Sequence, residues 1–194
     1  AKVISTIAGG EIRIDQGREQ SRKQIFASSR RIMVRGTPSA YVLADFGSTD
    51  VLVTIENRSM IGLPGHIGGA SDADISASGS TVVVATREGK AKVWTLEGQN
   101  QPRLLRELPH AAELAQATIT DEFVVTGDFS GAVRTWRISD GAQIAMNDSF
   151  SPVTTIVRLS VDSIAVGGQR GDIKILRVPD LSTIATIESS GSTV

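Results

Sequence analysis

Val125-Thr126-Gly127-Asp128-Phe129-Ser130-Gly131-Ala132-Val133-Arg134-Thr135-Trp136 decides how this chain folds, because the sequence repeats it. Two other stretches align with it, without gaps, from its second residue. They are Val84-Ala85-Thr86-Arg87-Glu88-Gly89-Lys90-Ala91-Lys92-Val93-Trp94 and Val166-Gly167-Gly168-Gln169-Arg170-Gly171-Asp172-Ile173-Lys174-Ile175-Leu176. In each, a glycine stands five residues before a large apolar residue, and a basic residue stands two before it. Fainter copies lie upstream: Gly47 precedes Leu52 by five, and Gly10-Glu11-Ile12-Arg13-Ile14 matches Gly171-Asp172-Ile173-Lys174-Ile175. The anchor glycines Gly10, Gly47, Gly89, Gly131 and Gly171 are spaced 37, 42, 42 and 40 apart.

Each unit has the same local grammar. A β-branched run such as Thr81-Val82-Val83-Val84-Ala85 is followed by a tight turn whose glycine supplies a positive φ. An alternating run follows, such as Ala132-Val133-Arg134-Thr135-Trp136-Arg137-Ile138, then Ser139-Asp140-Gly141 and a third run, Ala142-Gln143-Ile144-Ala145. A fourth run, such as Val153-Thr154-Thr155-Ile156-Val157, opens the next unit. Four strands per ~40 residues is the signature of a propeller blade. Ala111–Ala117 is rich in helix formers, yet its place in the repeat predicts a loop leading into an inner strand. The expected fold is all-β: a β-propeller of about five four-stranded antiparallel blades over residues 1–194. The repeats fall at 1–27 (partial), 28–66, 67–109, 110–150 and 151–194. It is either a closed five-bladed ring or an arc of a larger ring, seven blades being usual. An arc would be completed by missing residues, another copy or another chain.

The pattern resembles the WD-repeat family, which pairs a Gly-His dipeptide early in each repeat with a Trp-Asp dipeptide late in it. Gly65-His66 precedes Trp94 by 28 residues and Pro109-His110 precedes Trp136 by 26. The resemblance covers 60–188 well and 1–59 loosely. Thr95 and Arg137 stand where the family has Asp, and the last copy has Leu176 for Trp and Ser151-Pro152 for Gly-His. The resemblance implies a buried hydrogen-bonded chain of turn acid, His, hydroxyl and Trp. His66, Thr86, Glu88 and Trp94 would approximate it in one blade. The next offers His110 and Trp136, with Asp128 and Ser130 exchanged; the last, with Gly168 and Arg170, cannot form it. Both histidines therefore read as structural.

Composition narrows the function classes. Of 194 residues, 40% are hydrophobic and 21% charged, which fits a globular chain. There is no cysteine, so thiol catalysis and disulfides are excluded, and with two histidines a His-based metal site would need both plus carboxylates. No ~20-residue apolar run or secretory signal is visible, and the two N-x-S sequons, at Asn57 and Asn147, carry little weight without one. The expected compartment is intracellular, cytoplasmic or nuclear. The chain starts at Ala1 instead of Met, which reads as a processed product or a fragment.

No phosphate loop or nucleophile elbow is present, so no cofactor and no catalysis are expected. Thr126–Gly131 partly matches the Asp-box of propeller glycosidases, but Trp136 falls too far downstream. Asp72 and Asp74 alternate on one strand face. They read as a cation or acid–base pair, or, more simply, as a polar loop leading into a strand. Arg18, Arg22, Lys23, Arg30, Arg31 and Arg35 face one acid, Glu19, within eighteen residues, in a chain of net charge −1. This stretch reads as a solvated edge, a surface for acidic proteins, or a phosphate-binding strip for nucleic acid or phosphoinositide. Arg13, Lys92, Arg134 and Lys174 share one slot and read as framework, stems on the blade and heads in water. The leading expectation is a protein-interaction scaffold. Its contacts would include Arg87, Phe129 and Gln169 at the turn tips, with Arg30 and Arg31 serving the alternative of nucleic-acid or lipid binding.

Overall fold

The computed structural model describes residues 61–65, 68–97 and 101–187 in full. Before these it describes the strands within 3–55, with the side chains of Val42, Val51 and Val53. Among the described residues there are nineteen strands and no helix, hence no helix able to cross a membrane. The first sheet holds β1 (Val3–Ile7), β2 (Glu11–Asp15) and β3 (Gln20–Gln24). The second holds β4 (Ile32–Gly36), β5 (Ala40–Asp45), β6 (Val51–Ile55) and β7 (Ile61–Leu63). The third runs through β8 (Ala70–Ile75), β9 (Thr81–Thr86), β10 (Lys90–Thr95) and β11 (Arg103–Pro109). The fourth comprises β12 (Leu114–Ile119), β13 (Phe123–Asp128), β14 (Val133–Arg137) and β15 (Gln143–Asn147). The fifth comprises β16 (Val153–Arg158), β17 (Ser163–Gly168), β18 (Ile173–Arg177) and β19 (Thr183–Ile187). Within every sheet, neighbours in sequence are neighbours in space and run antiparallel. The helix-forming residues 111–117 divide between a loop and β12, because strand pairing with β13 outweighs so short a propensity signal.

The second to fifth sheets stack face to face along the chain. Val83, Ala85, Ala91 and Val93 of the third pack on Leu114, Ile119, Val124 and Trp136 of the fourth. Val125 and Val133 of the fourth pack on Val153, Ile156, Ile164, Val166 and Leu176 of the fifth. The core is thus a series of thin apolar seams between sheets. β8 packs on β5 and β12, and β12 on β16, so the first strands of the third, fourth and fifth sheets lie innermost. Among the described residues, the fifth sheet makes no extended contact with the first.

Asp72 and Asp74 are not in a polar loop. Both lie within β8 and are buried at the seam with the fourth sheet. Asp72 accepts the Ala117 N–H at 3.2 Å. Asp74 accepts the Ile119 N–H at 3.1 Å and the Thr118 hydroxyl at 2.8 Å. An innermost strand shows its backbone donors to the neighbouring sheet, and two carboxylates on one face of β8 meet them.

Candidate interaction face

In the third, fourth and fifth sheets the turns joining the second and third strands lie at the same end of their sheets. Their anchor glycines, Gly89, Gly131 and Gly171, have φ of +79°, +94° and +85°. Just ahead of each, Arg87, Phe129 and Gln169 occupy equivalent tips. Each tip donates its backbone N–H to a carbonyl in the loop entering its own sheet: Gly69, Glu113 and Pro152, at 3.0, 3.0 and 2.8 Å. The three turns are therefore held in one manner, and their side chains point outward. Phe129 is 46% exposed, an unusual position for a phenyl ring. Arg87 lies 3.6 Å from Glu113.

Beneath Phe129 runs a closed polar chain. The Trp136 indole N–H donates to the Thr126 hydroxyl at 2.9 Å, and that hydroxyl lies 2.6 Å from His110 Nε2. His110 Nδ1 lies 2.9 Å from Asp128 Oδ2, and both side chains are fully shielded from solvent. The other Asp128 oxygen accepts the N–H groups of Ser130 and Ala132 and the Ser130 hydroxyl. Burial holds the His110 imidazole below its ordinary pKa; the Asp128 hydrogen bond opposes this and the Arg134 charge reinforces it. For Asp128, burial pushes the pKa up but is outweighed by the hydrogen bonds from Ser130, His110 and Ala132, which leave it low. A neutral imidazole beside a carboxylate fixes the polarity of the whole chain. Nδ1–H donates to Asp128, Nε2 accepts from Thr126, and the Thr126 oxygen accepts from Trp136, so every group is satisfied.

The neighbouring turns are braced differently. In the third sheet the place of Thr126 is taken by Val84 and that of Asp128 by Thr86. The Thr86 hydroxyl donates to the Lys90 carbonyl at 2.7 Å, and Glu88 pairs with Lys92 at 2.9 Å. Trp94 is buried below this turn, and His66 lies outside the described residues. In the fifth sheet Gly168 stands in the place of Asp128, and Asp172, four residues on, supplies the carboxylate. It accepts the Ser151 N–H at 3.0 Å and the Ser151 hydroxyl, while Ser151 Oγ accepts the Arg170 N–H. A Cβ on Gly168 would overlap the Asp172 carboxylate and Ser151 Oγ, so the glycine makes room for the substitute lock.

The recurrent cations do more than reach water. Lys92, Arg134 and Lys174 each donate to a carbonyl of the entering loop, those of Gly65, Pro109 and Ser149. These bonds align Ser149-Phe150, not Ser151-Pro152, with Pro109-His110. Phe150 is buried with the Lys174 ammonium 4.9 Å from its ring centre. The sequence did not single out Thr126; its signal was a hydroxyl in a slot that is Val84 and Val166 elsewhere. Of the basic stretch, Arg22 and Lys23 lie on β3 and Arg35 on β4, while Arg18, Arg30 and Arg31 lie outside the described residues. Among the described residues, no cluster of His, Asp and Glu is arranged to hold a metal.

No family description and no curated protein matches the sequence. Solved structures do match the fold. The WD40 β-propeller domain of Doa1 superposes with a TM-score of 0.73 at 15% identity, over 97% of this chain and 65% of that one. The computationally designed Ika8 protein superposes with a TM-score of 0.78 at 21% identity, over 96% of this chain and 58% of that one. The fold is a β-propeller. Its four-stranded antiparallel sheets are blades, and the chain spans less than two thirds of either similar structure.

Proposed function

We propose that this chain is a non-catalytic, protein-binding scaffold of divergent WD-repeat type, and that the turn tips Arg87, Phe129 and Gln169 form its contact face. The observation that carries this reading is Phe129, an exposed aromatic ring on a turn fixed from below by His110, Asp128, Thr126 and Trp136. A pre-ordered aromatic anchor contributes binding energy at little entropic cost. The likeness to a WD40 propeller domain supports a scaffold in general. Asp128, the residue suggesting a glycosidase, has both oxygens committed to hydrogen bonds, which favours a structural role.

The test is affinity capture with the immobilised chain, comparing bound proteins between the wild type and Phe129→Ala. The variant is expected to lose a discrete set of bound proteins by at least about tenfold, the size of a contact worth more than 1 kcal/mol. Met146→Ala, on the outer strand β15, is expected to keep them. Binding unchanged by Phe129→Ala but abolished by salt and by Arg30→Glu with Arg31→Glu would overturn this in favour of an anionic ligand.

A further inference from the structure

Phe129 marks one end of the fourth blade; the turns joining β12 to β13 and β14 to β15 close the other. Between these two turns opens a cavity of about 360 Å³, lined by Asp121, Glu122, Phe123, Arg137, Ile138 and Ser139. Its walls are fixed. The Ile138 N–H donates to the Glu122 carbonyl at 2.9 Å and ties one turn to the other. The Thr120 hydroxyl accepts the Phe123 N–H at 2.9 Å and the Glu122 N–H at 3.3 Å. Asp121 Oδ1 accepts the Ser78 hydroxyl of the third blade at 2.7 Å. Phe123 and Ile138, both half-buried, supply the apolar part of the lining, and Asp121 and Glu122 are exposed beside them. Arg137 is the cation of the lining, and Asp140 answers it at 3.0 Å. The charge left facing the cavity is therefore negative.

The frame recurs, but its lining does not. The Leu96 N–H donates to the Ser80 carbonyl in the third blade and the Val178 N–H to the Asp162 carbonyl in the fifth, each at 2.8 Å. The strand registers put Thr81 and Ser163 where the fourth blade has Phe123, and Gly79 and Val161 where it has Asp121. Of these three blades, the fourth alone brings an aromatic ring and two carboxylates together.

We propose that this cavity receives an arginine side chain from a peptide segment of a partner protein. The aliphatic stem packs on Ile138, the flat guanidinium lies against the Phe123 ring, and its N–H groups divide between Asp121 Oδ2 and the Glu122 carboxylate. The volume, near the ~300 Å³ lower end of ligand pockets, suits one long side chain. The site uses no part of the turn tips, so it stands or falls apart from Phe129.

The test is an NMR titration of the isotope-labelled full chain with N-acetyl-alanyl-arginyl-alanine amide. Saturable shifts are expected at the backbone amides of Glu122, Phe123, Ile138 and Ser139, and none with the glutamine version of the peptide. Asp121→Asn with Glu122→Gln keeps the acceptor for Ser78, and is expected to weaken binding by at least about tenfold with the rest of the spectrum unchanged. Phe123→Leu is expected to weaken it too, while Phe129→Ala binds the peptide as the wild type does. Absence of shifts at these amides, or equal shifts with the glutamine peptide, overturns the proposal. So does undiminished affinity in the double variant, or loss of peptide binding in Phe129→Ala.

Discussion

Trp136, Thr126, His110 and Asp128 act as a single unit, so removing one strands its neighbours. Thr126→Val keeps the shape but leaves the indole N–H and His110 Nε2 without a partner. At about 1–3 kcal/mol for each stranded buried group, it is expected to cost about 2–4 kcal/mol, read from urea midpoints. The same unit makes stability sensitive to pH. The folded pKa of His110 is depressed, so its contribution is complete above the unfolded value of about 6.5 and is lost as pH falls below it. Urea unfolding at pH 7 and pH 5.5 is expected to show a drop that shrinks in His110→Gln; an unchanged drop would place the titration elsewhere. Asp128 and Asp172 are also depressed, for Asp172 chiefly by the Ser151 hydroxyl. Their contributions are present above about 3.9 and disappear only at lower pH, in a second stage. His110 and Trp136 were legible in the sequence because their residue types are rare in this chain, and Asp128 because it stands in the glycine turn of the repeat. Thr126 was not, because a threonine in a strand needs no explanation. The Asp172 lock was hidden because the carboxylate moved four residues along the turn.

Among elements, the turns and the inner strands carry the cost of change. A Cβ on Gly131 would overlap the Phe150 carbonyl oxygen, and the residue also sits at φ +94°. Gly141, at φ +77°, faces the flexible Arg106 side chain at 3.1 Å. Gly131→Ala is therefore expected to lower stability by about 2–3 kcal/mol and Gly141→Ala by about 1, measured by thermal unfolding. On β8, Asp74→Ala strands the Ile119 N–H and the Thr118 hydroxyl, and is expected to cost about 2–4 kcal/mol. In Thr118→Val one of its bonds is already absent, so a double-mutant cycle should return a coupling of about 1 kcal/mol. The strand order was legible because the turn glycines and the two-residue alternation recur every ~40 residues. That Asp72 and Asp74 share one strand face was legible too; their burial was not, because the donors of the next sheet that meet them do not show in the sequence.

For the molecule as a whole, extended contacts between blades run, among the described residues, only between blades adjacent in sequence, so stability is close to a sum over blades and seams. The all-β propeller was legible as a count of repeats. Ring closure was not, because the period is the same in an arc and in a ring.

The seams also differ in kind. Blades three and four are stapled by Asp72 and Asp74 onto the amides of β12. Blade five is held by apolar packing, with Arg158 reaching the Ile119 carbonyl. Hydrogen bonds to a carboxylate resist strongly over a short stretch and then break together, while apolar surface slides and peels. Pulled from its two ends, the chain should come apart in an order set by these joints. Of blades three to five, blade five would shed first at low force, and the stapled pair would yield later in one abrupt step.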